Sequence, residues 1–174
     1  MKFLKYLAVF LVITSCSSPK VVYDYDEKID FTILNTYQIY PDLVTNLNQL
    51  DEQRLISILE EEMAEKGFTR ASQSPDLFIN FYSSDYQTPN RNSVGVGVGG
   101  TGRNVGVGIS GGIPLGGPNT YKRITFDFID AENDALIWQA VVEGKFDRET
   151  SPEKRSERLR ILVETALEGY PPNR

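Results

Sequence analysis

The sequence predicts an α+β fold: a single domain in βαβββα order, with a mixed or antiparallel sheet and two helices packed on one face. Three observations predict it. Segments 49–66 and 152–168 repeat apolar residues at helical spacing. Segments 36–40, 76–83, 121–130 and 136–146 are rich in β-branched and aromatic residues and alternate along the chain. A Gly/Val-rich stretch at 93–117 has period two around a glycine turn, which reads as a hairpin inserted ahead of the last two strands.

The chain opens on Lys2 and Lys5, followed by an apolar run over residues 6–13. About twenty apolar residues are needed to cross a bilayer, so this run reads as a signal peptide and not as an anchor helix. Residues 11–16 (LVITSC) then read as a lipobox. Small Thr14 and Ser15 let a peptidase reach the bond between Ser15 and Cys16, and Cys16 is the only cysteine available for acylation. The expected division is a removed signal peptide at 1–15, lipidated Cys16 with a short polar tether at 16–20, and a folded domain at 21–174. Several acyl chains on one cysteine anchor stably, since each buried methylene contributes about 0.8 kcal/mol. Ser17, in place of Asp, permits transport of such a protein to the outer membrane. With no dense acidic run after Cys16, the periplasm-facing leaflet is the expected address.

Residues 21–26 read as a short edge strand or an extended lead-in. Strand 36–40 ends at Pro41. Asn46 or Asn48 caps the first helix, Leu55, Ile58, Leu59 and Met63 form its stripe, and Gly67 stops it. Glu60, Glu61, Glu62 and Glu65 read as a solvated face. Strand 76–83 places Leu77, Ile79 and Phe81 on one side and Phe78, Asn80 and Tyr82 on the other, the mark of a central strand. Strand 121–130 sets Ile124, Phe126 and Phe128 against Arg123, Thr125, Asp127 and Ile129. Leu136, Trp138, Ala140 and Val142 are in phase on the return strand. Ser151 and Pro152 start the second helix, whose apolar face is Leu159, Leu162, Val163, Ala166 and Leu167. Its basic residues Lys154, Arg155, Arg158 and Arg160 fit local ion pairs with Glu153, Glu157 and Glu164.

Composition limits the chemistry. There is no histidine, and Cys16 is assigned to lipid, so no Ser-His-Asp triad, Cys-His pair or usual zinc site can be assembled. The net charge is −6, and the segment before Cys16 holds two lysines and no acid, so the remainder is more acidic still. That argues against nucleic acid or an anionic membrane surface as a partner, since both need a basic footprint. Asp24, Asp26 and Asp30, and again Asp130, Glu132 and Asp134, are spaced like calcium ligands. Lys28 and Ala135 stand where that pattern needs a ligand and a glycine, so no metal site is assigned. Two G-x-G-x-x-G windows, 97–102 and 106–111, continue in β alternation where a dinucleotide site needs a helix.

Residues 26–40 (DEKIDFTILNTYQIY), Pro75-Asp76-Leu77, residues 124–138 (ITFDFIDAENDALIW) and the closing Gly169-Tyr170-Pro171-Pro172 are similar to bacterial lipoproteins of the domain-of-unknown-function 4136 family. The resemblance covers about residues 21–173. Many members carry Gly soon after the tryptophan; here Gln139 and Ala140 follow Trp138, and Gly144 comes later. The resemblance implies a lipoprotein with an α+β domain. It brings no activity and no catalytic residues, so none are carried over.

The functional expectation is a membrane-anchored envelope lipoprotein acting as a non-catalytic interaction or structural module. The membrane is engaged through the lipid on Cys16, with an envelope protein as partner and no other cofactor. The Gly/Val face (Val94, Val96, Val98, Val105, Val107, Ile109) is the candidate interaction surface. The alternative is a module for a small apolar ligand or lipid, with Tyr23, Tyr25, Tyr37, Tyr40, Phe78, Tyr82 and Tyr86 lining a groove. A carboxylate hydrolase would pair Asp127 with Glu143. Sequence leaves the oligomeric state open.

Overall fold

The computed structural model describes residues 18–89, 93–95, 112–114, 118–146 and 150–172. β1 (Lys20–Tyr25), β2 (Thr36–Ile39), β3 (Thr69–Arg70), β4 (Leu77–Thr88), β7 (Asn119–Asp130) and β8 (Ala135–Lys145) build one six-stranded sheet in the order β1-β8-β7-β4-β2-β3. β5 (Ser93–Gly95) and β6 (Gly112–Pro114) pair separately, with Val94 opposite Ile113. Neighbours from β1 to β4 are antiparallel, whereas β2 runs parallel to β4 and β3. The parallel pair follows from connectivity: α1 (Gln49–Glu65) crosses over between β2 and β4, so the chain re-enters the sheet in the same direction.

Both helices begin as their capping residues dictate. The Asn48 side chain accepts the Asp51 amide at 3.0 Å, and Gly67 at φ +87° ends the first helix. Ser151 caps α2 (Pro152–Leu167), with proline in the first turn, where its missing N–H costs nothing. The two helices lie side by side and run in the same direction, since Arg155 reaches Asp51 near both N-termini and Arg160 reaches Glu61 farther along at 2.7 Å.

One face of the sheet and the two helix stripes form the core. Leu77, Ile79, Phe81, Ile124, Phe126, Phe128, Ala140 and Val142 alternate inward and meet Leu55, Leu59, Met63, Leu159, Val163 and Ala166, all 0% exposed. Each of the larger side chains contributes roughly 1.5–3 kcal/mol through burial, and the alanines less. At the far end of this layer Tyr170 packs between Phe128, Trp138, Phe68 and Phe31. The α+β class, the mixed main sheet and both helix stripes stand as the residue pattern predicts.

Four details differ from the pattern. β1 starts at Lys20, inside the expected tether. β4 runs on to Thr88 because Ser84, Asp85, Tyr86, Gln87 and Thr88 continue the ladder with β7, although their composition is polar. β3 is a two-residue strand that sequence gave no sign of, too short for any periodicity. On β8 a bulge opposite Phe128 inserts Ile137, which shifts the phase: Ile137 is 2% exposed, and Leu136, expected inside with Trp138, is 53% exposed.

Candidate functional site

The helix-free face of the sheet is the most built surface among the described residues. Strand alternation that sends Ile79, Phe81 and Phe126 inward sends Phe78, Asn80, Tyr82 and Asp127 outward. At its centre Asp127 on β7 accepts Gln139 Nε2 from β8 at 2.7 Å and faces Asn80 Nδ2 of β4 at 3.5 Å. Toward the end where β4 stops, Glu143 accepts the Tyr86 hydroxyl at 2.9 Å and pairs with Arg123. The Tyr86 ring stacks on Tyr121 at 5.5 Å, and the Arg123 guanidinium lies over it. Toward the β2 side Tyr40 meets Phe78 edge-on at 5.8 Å. Tyr82 stands 42% exposed between these clusters.

The charges follow this geometry. Partial burial pushes the Glu143 carboxyl up, but the hydrogen bonds from Tyr86 and Arg123 and the Arg123 charge outweigh it, so it lies below the ordinary carboxylate value. Burial, then the Glu143 carboxylate, push the Tyr86 phenol up. Glu143 is thus favoured as an anion by the groups on neighbouring strands that hold it.

Asp127 and Glu143 do share this face, but they are not opposite one another. Asp127 pairs with Gln139, and Glu143 pairs with Arg123, four residues along the strands. That separates them by roughly 13 Å at about 3.3 Å per residue. Each is already engaged by its own donors, so the geometry does not assemble the paired carboxylates that a hydrolase needs.

The aromatic groove is not assembled either. Tyr23 and Tyr37 point to the helix side: Tyr37 is 2% exposed, and the Tyr23 hydroxyl donates to the Thr165 carbonyl at 2.7 Å. Tyr40, Phe78, Tyr82 and Tyr86 lie on the opposite face, and Tyr25 meets Phe31 at the sheet end. Strand periodicity divides the set between two faces. Among the candidate interaction residues, Val94 lies in β5, whereas Val96, Val98, Val105, Val107 and Ile109 fall outside the described residues, as do Ser15 and Cys16.

The calcium-like spacings resolve into turns. Asp26 accepts the Lys28 amide, Asp30 accepts that of Thr32, and Asp130 accepts those of Glu132 and Asn133. Asp76 does similar work at longer range, holding the Asn35 and Thr36 amides at 2.8 Å and so fixing the start of β2 against β4.

Sequence reading missed a charge cluster between the two helix N-termini. Asp51, with its side chain 2% exposed, pairs with Arg155 of α2 and with Arg54. Beside it Lys122 pairs with Asp85 at 2.6 Å, and its ammonium lies over the Phe146 ring. These residues line a depression of about 330 Å³. Burial raises the Asp51 carboxyl, but hydrogen bonds from Arg155 and Asn48 and the arginine charges bring it below its ordinary value. The local ion pairs expected for Arg155 and Arg160 are instead pairs between helices. Only tertiary packing brings Asp51 and Arg155 together across 104 residues.

Fold and site define a class: one α+β domain with two helices on one face of a mixed sheet and a second face that no helix among the described residues covers. A family model described as a domain of unknown function, DUF4136, matches residues 21–172, and the chain belongs to that family. Among solved structures it is similar to a DUF4136 family protein from Bacteroides thetaiotaomicron, with a TM-score of 0.51 and 13% identity over 90% of this chain and 97% of that one. It is also similar to a PDZ domain protein from Parabacteroides distasonis, at a TM-score of 0.56 and 18% identity; the match covers 90% of this chain but only 37% of that protein. A PelC dodecamer from Paraburkholderia phytofirmans matches at a TM-score of 0.50 and 14% identity, over 86% of this chain and 94% of that one. At these identities the likeness is one of fold. No curated protein matches the chain.

Proposed function

We propose that the chain is a lipid-anchored envelope lipoprotein whose domain is a non-catalytic interaction module working through the open sheet face. Cys16 carries the lipid, cleavage falls between Ser15 and Cys16, and the domain sits on the periplasmic side of the outer membrane. The carrying observation is the open face itself. It is wide and aromatic, and its carboxylates Asp127 and Glu143 are held by donors on neighbouring strands, which suits recognition better than proton transfer. Among the described residues no helix is long and apolar enough to cross a membrane, so attachment in this reading is through the lipid. A protein of the same fold assembles as a dodecamer, so a second copy of this chain is the first partner to test.

The test is photo-crosslinking in whole cells from a reactive side chain placed at Tyr82 on the open face, with Glu61 on the helix face as comparison. A discrete adduct from Tyr82, to another copy or to a defined envelope protein, is expected. Adducts of equal yield from both positions, or none from Tyr82, would overturn the assignment. Mass spectrometry of the mature N-terminus checks the acyl chains on Cys16.

A further inference from the structure

The chain leaves the sheet at one end for every feature that the fold does not explain. Lys20 of β1 pairs with Glu143, Glu143 with Arg123, and Arg123 with Ser84, so these four residues mark one level across the sheet. Upstream of Lys20 the chain still follows β8, because Pro19 lies against Gly144, 3.7 Å from where a Cβ would stand. Cys16 is four residues before Lys20, a reach of at most roughly 14 Å. On the same side β4 ends at Thr88 and β7 begins at Asn119, each four residues beyond that level, or roughly 13 Å. The ends of β4 and β7 therefore extend about as far as the tether can. The opposite pole, at Leu77 and Asp130, lies seven residues the other way, roughly 23 Å from Lys20.

We infer that the pole formed by the end of β4, the start of β7 and the N-termini of both helices faces the membrane, and that its occupant is an anionic lipid headgroup surface. The inference rests on the acylation of Cys16 proposed above. Charge is distributed to match. Lys20, Lys145 and Lys154 are exposed at this pole, as are Asp85 and Glu153, and the helix N-termini add positive partial charge. Asp26, Glu27, Asp30, Asp130, Glu132 and Asp134 gather at the opposite pole, beyond the reach of headgroup repulsion at a Debye length of about 8 Å. The strands then stand upright on the bilayer, and the open face looks sideways, free to meet a partner anchored in the same membrane.

The experiment uses the full chain, processed in cells and purified from membranes, in vesicles of phosphatidylcholine and phosphatidylglycerol with a headgroup spin-labelled lipid as quencher. Fluorophores go on single cysteines at Gln87→Cys and Lys145→Cys near the inferred membrane pole, and at Glu65→Cys and Glu132→Cys at the other; all four positions are exposed. Quenching at Gln87 and Lys145 is expected to exceed that at Glu65 and Glu132 several-fold, and to weaken when phosphatidylglycerol is omitted. Equal quenching at both poles, or stronger quenching at Glu65 and Glu132, with Cys16 acylated, overturns the inference alone. Near-pole quenching unchanged without phosphatidylglycerol overturns the anionic-surface assignment. An unmodified Cys16 overturns the proposed lipoprotein reading, and this inference falls with it.

Discussion

Tyr170 offers a sharp test of the packing. Its ring is 2% exposed and lies 4.4 Å from Phe128 and 5.0 Å from Trp138, centre to centre. Its hydroxyl makes no hydrogen bond among the described residues. A buried polar group without a partner costs roughly 1–3 kcal/mol in desolvation. Tyr170→Phe keeps the ring contacts and removes that cost, so it should be neutral or stabilise by about 1 kcal/mol. Tyr170→Ala removes the ring and should cost about 3–5 kcal/mol. Urea unfolding followed by the fluorescence of Trp138, the only tryptophan, reads both. Alkaline pH gives a second handle. Burial pushes the Tyr170 phenol up, so the folded chain keeps its proton where the unfolded chain releases it near pH 10. Stability therefore falls as pH rises past about 10, by at most about 1.4 kcal/mol per pH unit for this one group. In Tyr170→Phe that decline should be shallower. A Tyr170→Phe protein less stable by more than about 1 kcal/mol, with an unchanged alkaline slope, would show that the hydroxyl has a partner and refute the reasoning.

Asp51→Ala removes the anion that Arg155 and Arg54 share; both arginines keep some contact with solvent, and thermal unfolding should record a loss of about 1–3 kcal/mol. Because the folded-state pKa of Asp51 is lowered, its contribution is present above its unfolded value near 4 and is lost as pH falls through the folded one; Asp51→Asn should flatten the acid limb of a pH–stability curve. Gly169→Ala drives a methyl to 2.6–2.9 Å from the Tyr23 ring, which is pinned by its bond to Thr165, and should cost about 1–3 kcal/mol by chemical denaturation. Gly144→Ala meets Pro19 at an ordinary 3.7 Å and comes too close only to the terminal Cδ2 of Leu162 at 2.8 Å, a group that can turn aside, so under about 1 kcal/mol is expected in the same assay. Glu143→Gln on the open face breaks a half-exposed ion pair with Arg123 and should change stability by under about 1 kcal/mol while lowering the crosslinking yield from Tyr82.

Much of the scaffold is legible residue by residue. Asn48, Gly67, Ser151 and Pro152 act through bonds within a few residues, so the helix boundaries are local facts. The same holds for the alternation of β4 and β7 over their apolar halves. The bulge at Ile137 was not legible, because a one-residue phase shift shows only against the partner strand. The polar half of β4 was missed for a related reason: its pairing with β7, and not its composition, keeps it extended.

By itself the sequence determined the helices, the inward stripes and the absence of histidine chemistry, since each rests on residue identity or short spacing. Tertiary structure alone decided which distant groups meet. It joined Asp51 to Arg155, kept Asp127 from Glu143, and divided the tyrosines between a buried face and an open one. It also gathered Asp26, Glu27, Asp130, Glu132 and Asp134 at one end of the sheet and left Lys20, Lys145 and Lys154 with Asp85 and Glu153 at the other, an asymmetry that a net charge of −6 conceals. The physical reason is that charge interactions and packing depend on distance in space, and strand register sets that distance between residues far apart in the chain.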